Sequence, residues 1–140
     1  IPESYIPDLD IRLGLYRRLS SLGTKVELEG FAAELIDRFG PLPKEVNTLM
    51  LIVRIKAMCR RAGISRLDAG PKGATIGFHN DKFANPAGLV DFLKAQGPAA
   101  RVNGNKIVLT GEMKTEADRI KGAFNIARDL AEIVKVAKKA

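Results

Sequence analysis

The chain has 140 residues, 46% of them hydrophobic and 28% charged, and its 23 lysines and arginines against 16 acids give a net charge of +7. This composition is typical of a folded globular protein and excludes a disordered or low-complexity chain. No apolar run approaches the roughly 20 residues that a membrane-spanning helix needs. The length fits one domain over residues 1–140.

The N-terminal residues and the cysteine content indicate a cellular setting. The first residues, Ile1-Pro2-Glu3-Ser4, have neither the basic nor the apolar region of a secretion signal. The chain does not begin with Met, which suggests a domain cut from a longer polypeptide or a processed tag. Cys59 is the single cysteine and has no internal disulfide partner, so we expect a reducing, cytoplasmic location.

Three helices are predicted in the first half. Residues 8–22 and 25–39 each carry one apolar stripe, and Asp8 is the expected N-cap of the first. The third helix is predicted from Pro43, at its first helical position, to about residue 62, with Gly63 just past its end. Apolar residues go most of the way round this third helix, so we expect it to be buried on more than one side and to be the central helix.

The second half alternates between strand and helix patterns. Residues 64–80 predict a hairpin that turns at Gly70-Pro71-Lys72-Gly73, with Ala74, Ile76 and Phe78 on its packed face. Residues 85–97 predict a short helix capped by Asn85, and residues 100–112 predict a second hairpin about Asn103-Gly104-Asn105.

A long last helix is predicted from Thr115 to about residue 138, weakened by roughly 1 kcal/mol at Gly122. Its predicted apolar stripe consists of Ala117, Ile120, Phe124, Ala127, Ala131 and Val134. The predicted fold class is therefore α+β, with three N-terminal helices, two antiparallel β-hairpins separated by a short helix, and a long C-terminal helix.

No catalytic pattern is present in the sequence. It contains no Walker sequence, no GxGxxG, no GxSxG and no metal-spaced pair of cysteines or histidines. His79, the only histidine, falls on the wet face of a predicted strand, and Cys59 is most simply a small core residue. We expect no catalytic residue, no cofactor and no metal in this domain.

The positive charges are spread along the chain, for example at Arg17, Arg54 and Lys135. Several fall in the last turns of predicted helices, where a cation complements the helix dipole, and this favours a solvated, structural role over a dedicated phosphate track. A basic nucleic-acid-binding accessory module remains the alternative interpretation of +7. A structural cap without a regulatory role is the third.

Two carboxylates precede a rigid corner in the stretch ELIDRFGPLPKEV, residues 34–46. At 100° per residue, Glu34 and Asp37 lie about 60° apart on the polar side of their helix. The pair is either neutralised by Arg38 or Arg54, which composition alone favours, or forms an acidic docking point for a partner that carries arginines. Composition does not decide between these alternatives.

Three blocks carry a family resemblance: IPESYIPDLDIRLGLYRRLSS, then ELIDRFGPLPKEV, then GISRLDAGPKG. In this order and spacing they resemble the C-terminal (TRCF) domain of the bacterial transcription-repair coupling factors (Mfd). The blocks from Tyr5 to Arg18 and from Glu34 to Pro43 are the most specific. The second half of the chain is matched in pattern more than in residues.

The resemblance implies a regulatory, autoinhibitory domain of a larger ATP-driven DNA translocase, which removes stalled RNA polymerase and recruits the repair protein UvrA. The domain would dock on the N-terminal UvrB-like module of the same polypeptide and mask the UvrA-binding surface. Glu34, Asp37 and the adjoining Arg38 are the expected docking interface. The resemblance implies that ATP and Mg bind to the motor of the parent protein, and that DNA is bound only through that motor.

Overall fold

The computed structural model describes residues 1–79 and 83–139, with side chains described as far as residue 135. The helices are α1 (Leu9–Ser20), α2 (Lys25–Phe39), α3 (Lys44–Ala62), α4 (Pro86–Gln96) and α5 (Glu116–Lys139). The strands are β1 (Ile64–Gly70), β2 (Gly73–Phe78), β3 (Ala100–Asn103) and β4 (Lys106–Thr110). This order confirms the predicted α+β class.

The chain divides into two compact units, unit 1 at Ile1–Ala57 and unit 2 at Met58–Ala140. The single domain over residues 1–140 stays a prediction. The hairpin predicted over residues 64–80 is present as β1 and β2, and its last predicted residue, Asn80, lies outside the described residues.

The core of unit 1 is formed by the N-terminal segment and by residues of α1, α2 and α3. Asp8 caps α1 as predicted, since its carboxylate accepts a hydrogen bond from the Ile11 amide at 3.0 Å. A reciprocal capping box of Thr24 and Glu27, which the sequence analysis missed, starts α2. The buried members of this core are Ile6, Leu15, Leu19, Leu28, Phe31, Leu35 and Val46.

The third helix begins one residue later than predicted. Its first residue is Lys44, and the carbonyl of Pro43 accepts a hydrogen bond from the Val46 amide at 3.1 Å, so Pro43 occupies the cap position. Gly63 follows the helix with φ of 72°, as predicted for a terminating glycine. Val46 belongs to the core of unit 1, while Ala62 belongs to that of unit 2. The central role of this helix stays a prediction.

Unit 2 contains one antiparallel sheet in the order β1-β2-β4-β3. The two predicted hairpins are joined because β2 pairs with β4, with Ile76 opposite Ile107, a pairing that the sequence analysis did not foresee. The predicted packed face is confirmed: Ala74, Ile76 and Phe78 are all buried. They share a core with Phe92 of α4 and with residues of α5, so the helices cover one face of the sheet.

The predicted stripe of α5 was wrong in part. Ala117 is exposed, and the prediction omitted Leu130, which is fully buried between Ala127 and Val134 at helical spacing. The apolar face of α5 is buried mainly in its later turns. A Cβ at Gly122 would lie 2.4 Å from the sulfur of Met113, whose flexible side chain would have to move.

Candidate docking site

The three predicted docking residues lie in the last two turns of α2. Glu34 and Arg38 are one turn apart, and Asp37 lies between them along the chain. The helix ends at Gly40, whose φ of 95° starts the change of direction that leads through Pro41-Leu42-Pro43 into α3. The predicted corner is therefore present, with the charged residues directly before it.

Arg18 of α1 is the main partner of Glu34. Its Nη1 and Nη2 atoms lie 2.6 Å from Oε2 and 2.8 Å from Oε1 of the carboxylate, which is a bidentate arginine–carboxylate pair. The hydrogen bonds from Arg18 are the chief cause that lowers the pKa of Glu34, and the same contact raises the pKa of Arg18. Arg18 was not predicted as a partner of Glu34, because periodicity does not pair residues on two different helices.

Arg38 contacts the same carboxylate more loosely. Its Nη1 atom lies 3.6 Å from Oε2 of Glu34, so the predicted neutralisation by Arg38 is present but secondary. Aromatic rings support both guanidinium groups, since Arg18 lies 5.4 Å from the centre of the Phe31 ring and Arg38 lies 4.9 Å from that of Phe39. Glu34 is thus flanked by two arginines that are positioned by rings of its own helix.

Asp37 is set apart from this network. Its side chain is exposed, and no cation of residues 1–79 or 83–135 lies within ion-pairing distance of its carboxylate. The structure therefore brings Glu34 and Arg38 together and leaves Asp37 facing solvent. The two carboxylates that the sequence presented as an equal pair have different surroundings.

Tyr5 fixes the corner that follows these residues. Its hydroxyl donates to the carbonyl oxygens of Gly40 at 2.8 Å and of Leu35 at 3.1 Å. The ring also lies 5.9 Å from that of Phe39, and burial raises the pKa of the Tyr5 phenol. A conformation of the α2 C-terminus that moved Asp37 would have to break these contacts. The three candidate docking residues therefore lie at a helix end that Tyr5 holds in place.

Among the described residues, few other chemical groups could form a site. Within residues 1–79 and 83–135, no three histidine, cysteine or acidic side chains gather closely enough to hold a metal ion. His79 is exposed, as predicted, while Cys59 is half-buried, and burial raises the pKa of its thiol. None of the described helices is both long and apolar enough to cross a membrane.

A family model described as the TRCF domain matches residues 1–89, which include all three sequence blocks that carried the resemblance. The chain belongs to the TRCF domain family. The match covers α1, α2 and the corner after Gly40, so the candidate docking residues lie inside the matched region.

Two relatives and one solved structure extend this TRCF assignment. The transcription-repair-coupling factor of Escherichia coli is 35% identical over 133 residues, which are 94% of this chain and 12% of that protein. That of Rickettsia prowazekii is 46% identical over 81 residues, or 58% of this chain and 7% of that protein. The TRCF chain therefore spans only a small part of these relatives.

A crystal structure of the C-terminal domain of transcription-repair coupling factor resembles the fold with a TM-score of 0.78. The alignment covers 97% of this TRCF chain and 88% of the other, at 22% sequence identity. This likeness supports the α+β architecture over both units.

Proposed function

We propose that this TRCF domain is the autoinhibitory domain of a transcription-repair coupling factor. It docks on the N-terminal UvrB-like module of its parent polypeptide, masks the surface that binds UvrA, and restrains the ATP-driven translocase that removes stalled RNA polymerase. The observation that carries the proposal is the exposed carboxylate of Asp37 beside the Arg18–Glu34 pair, at a fixed helix end of a TRCF domain.

The charge surroundings support different roles for the two carboxylates in this proposal. An arginine that approaches from the partner module meets Asp37 without competition. At Glu34 it has to displace Arg18 or share the carboxylate with it, because Arg18 already occupies both oxygens. Asp37 is therefore the primary docking residue and Glu34 the secondary one.

A contact between charged residues suits a domain interface that has to open and close reversibly. A polar interdomain interface of modest size opens more readily than a large apolar one. In this proposal the domain itself carries out no catalysis, and ATP and Mg act at the parent motor. Measurable ATP turnover by the purified 140-residue chain, mapped to one of its residues, would contradict this part.

The test is a titration of this chain against the separately expressed N-terminal module, for wild type and for Asp37→Lys. We expect the variant to weaken binding by about tenfold or more, because an attraction to arginine becomes a repulsion. Glu132→Lys is the matched control, since it makes the same charge change at an exposed position of α5 in unit 2. In the parent protein, Asp37→Lys should also increase UvrA binding and ATP turnover in the absence of polymerase.

Two results would overturn the proposal. The first is a folded Asp37→Lys chain that binds the N-terminal module as tightly as wild type. The second is a parent protein whose UvrA binding and ATP turnover do not change when the whole TRCF domain is removed, which would leave only a structural cap.

A further inference from the structure

The net charge of the chain lies entirely in one of its two units. Residues 1–57 contain eight lysines and arginines and eight acids, whereas residues 58–140 contain 15 lysines and arginines and eight acids. The value of +7 is thus the charge of unit 2, and unit 1 is balanced. The cations look dispersed only when the 140 residues are taken as one domain.

Part of this charge gathers on the face of the sheet that α4 and α5 do not cover. One cross-strand row of this outer face runs from Arg66 through Gly77 and Lys106 to Asn103. The next row runs from Asp68 through Thr75 and Val108 to Arg101. The cationic side chains of both rows are exposed.

Small residues form the centre of this outer face, and charged residues surround it. Thr75, Val108 and the glycines at the β1–β2 turn form the floor of a shallow depression of about 570 Å³. Lys72 at the turn, Arg101 on β3 and the acid Asp68 on β1 line the same depression. Arg66 and Lys106 continue the positive rim along the next row, on either side of Gly77. An extended chain on this floor would lie beside Lys72 and Arg101 and next to the row that carries Lys106.

Asp68 is the single acid among the outward residues of the four strands, and it is paired with Arg66 at 2.6 Å. A mixed pattern of four cations and one acid can be matched in register by a protein surface, whereas a nucleic-acid backbone presents only negative charge. The outward strand positions also carry no aromatic side chain on which bases could stack. These features favour a protein partner.

We propose that the outer face of the unit 2 sheet is a docking surface for an extended, acidic segment of a protein. Arg101, Lys106 and Lys72 provide the attraction, and the small residues of the floor allow the segment to approach the sheet. This surface is separate in sequence and in charge from the acidic residues of α2, and the proposal does not depend on docking through Asp37.

The probe is a peptide of about 12 residues in which glutamate alternates with serine, because the extended form places its carboxylates about 7 Å apart on one face. It is titrated into the isotope-labelled 140-residue chain and followed by NMR at about 50 mM salt, where charge attraction is only partly screened. We expect the amide signals of Thr75, Arg101 and Val108 to move most.

The variant Arg101→Glu with Lys106→Glu should weaken peptide binding by about tenfold or more. The matched control is Lys94→Glu with Lys121→Glu, which changes the net charge equally at exposed positions of α4 and α5. We expect this control to stay within about threefold of wild type. Equal losses in the two double variants, or signal changes centred elsewhere, would overturn the proposal.

A second variant tests the shape of the surface without changing any charged residue. Thr75→Phe fills the floor of the depression, and we expect it to weaken peptide binding while the far-ultraviolet circular dichroism stays that of wild type. If this variant binds as wild type does, the floor is not the docking surface. A short DNA duplex that binds the same residues more tightly than the peptide at about 150 mM salt would also overturn the proposal and would identify nucleic acid as the partner.

Discussion

The guanidinium group of Arg18 holds both carboxylate oxygens of Glu34, at 2.6 and 2.8 Å, and so joins α1 to the C-terminal half of α2. Arg18 already makes with Glu34 the arginine–carboxylate contact that an arginine of a docking partner would make. Any partner that uses Glu34 has to compete with Arg18, whereas a partner that uses Asp37 does not. In the proposed docking, the pair therefore limits how much Glu34 can contribute.

Removing the competitor should strengthen docking. We expect Arg18→Gln to raise the affinity of the chain for the N-terminal module by a few fold, because the Glu34 carboxylate becomes available to the arginines of the partner. The measurement is the same binding titration, with Arg17→Gln on the neighbouring position of α1 as the control. An affinity unchanged by Arg18→Gln but reduced by Asp37→Lys would exclude Glu34 from the interface and leave Asp37 in it.

Low pH should destabilise the fold because it protonates two glutamates of α2. Hydrogen bonds from Arg18 lower the pKa of Glu34, and hydrogen bonds from the Thr24 side chain and then from the Gly23 and Thr24 amides lower the pKa of Glu27. A carboxylate with a lowered pKa in the folded state contributes stability that is fully present above its unfolded-state pKa of about 4.3. That contribution is lost as the pH falls through the folded-state value.

We therefore expect the melting temperature to fall more steeply below about pH 4.3 in wild type than in Glu34→Gln, which lacks one of these groups. Glu132→Gln is the control, because it removes an exposed carboxylate that no cation among the described side chains contacts. Identical pH profiles for wild type and Glu34→Gln would show that the Arg18 pair does not form in solution.

The start of α2 should depend on its capping box. Thr24 Oγ1 accepts a hydrogen bond from the Glu27 amide at 3.2 Å. The Glu27 carboxylate in turn accepts a hydrogen bond from the Thr24 amide at 3.1 Å. We expect Thr24→Ala to lower the free energy of unfolding by about 1 kcal/mol, since it removes the side chain that caps the helix. Thr24→Ser retains a hydroxyl and should stay close to wild type in urea denaturation. A loss of equal size in both variants would contradict the capping role.

Two glycines of β2 should respond in opposite directions to alanine. A Cβ at Gly77 would lie at ordinary distances of 3.7 Å from Arg66 and Ser65, so Gly77→Ala should raise the free energy of unfolding by about 0.5–1 kcal/mol. A Cβ at Gly73, where φ is 147°, would lie 2.0 Å from the Leu109 carbonyl oxygen, so Gly73→Ala should destabilise the sheet. Urea denaturation measures both, and a destabilised Gly77→Ala chain would contradict the register of β1, β2 and β4.

Several element boundaries were predictable because their signals are local. Asp8, Asn85 and Gly63 start or end helices through hydrogen bonds and backbone angles within a few residues. The turns at Gly70–Gly73 and Asn103–Asn105 belong to the same class. By contrast, the pairing of β2 with β4 joins strands separated by α4, and no local pattern specifies it.

In the candidate site, too, local features were predictable and contacts between distant residues were not. The positions of Glu34, Asp37 and Arg38 on the polar side of α2 followed from helical periodicity. The difference between the two carboxylates did not, because it depends on Arg18, 16 residues before Glu34 on another helix. A sequence can therefore place charges on a face, but the neighbours across that face decide which charge is available.

The strand order of the sheet also bears on solubility. In the described part of the chain, β1 and β3 form the two edges, where unpaired amide and carbonyl groups could recruit a second molecule into a continuous sheet. β3 has only four residues, one of them Arg101, and the register of β1 shifts between Ile64 and Arg66. Short length, irregular register and edge cations all oppose self-association. These features of the two edge strands therefore disfavour pairing with the sheet of a second molecule.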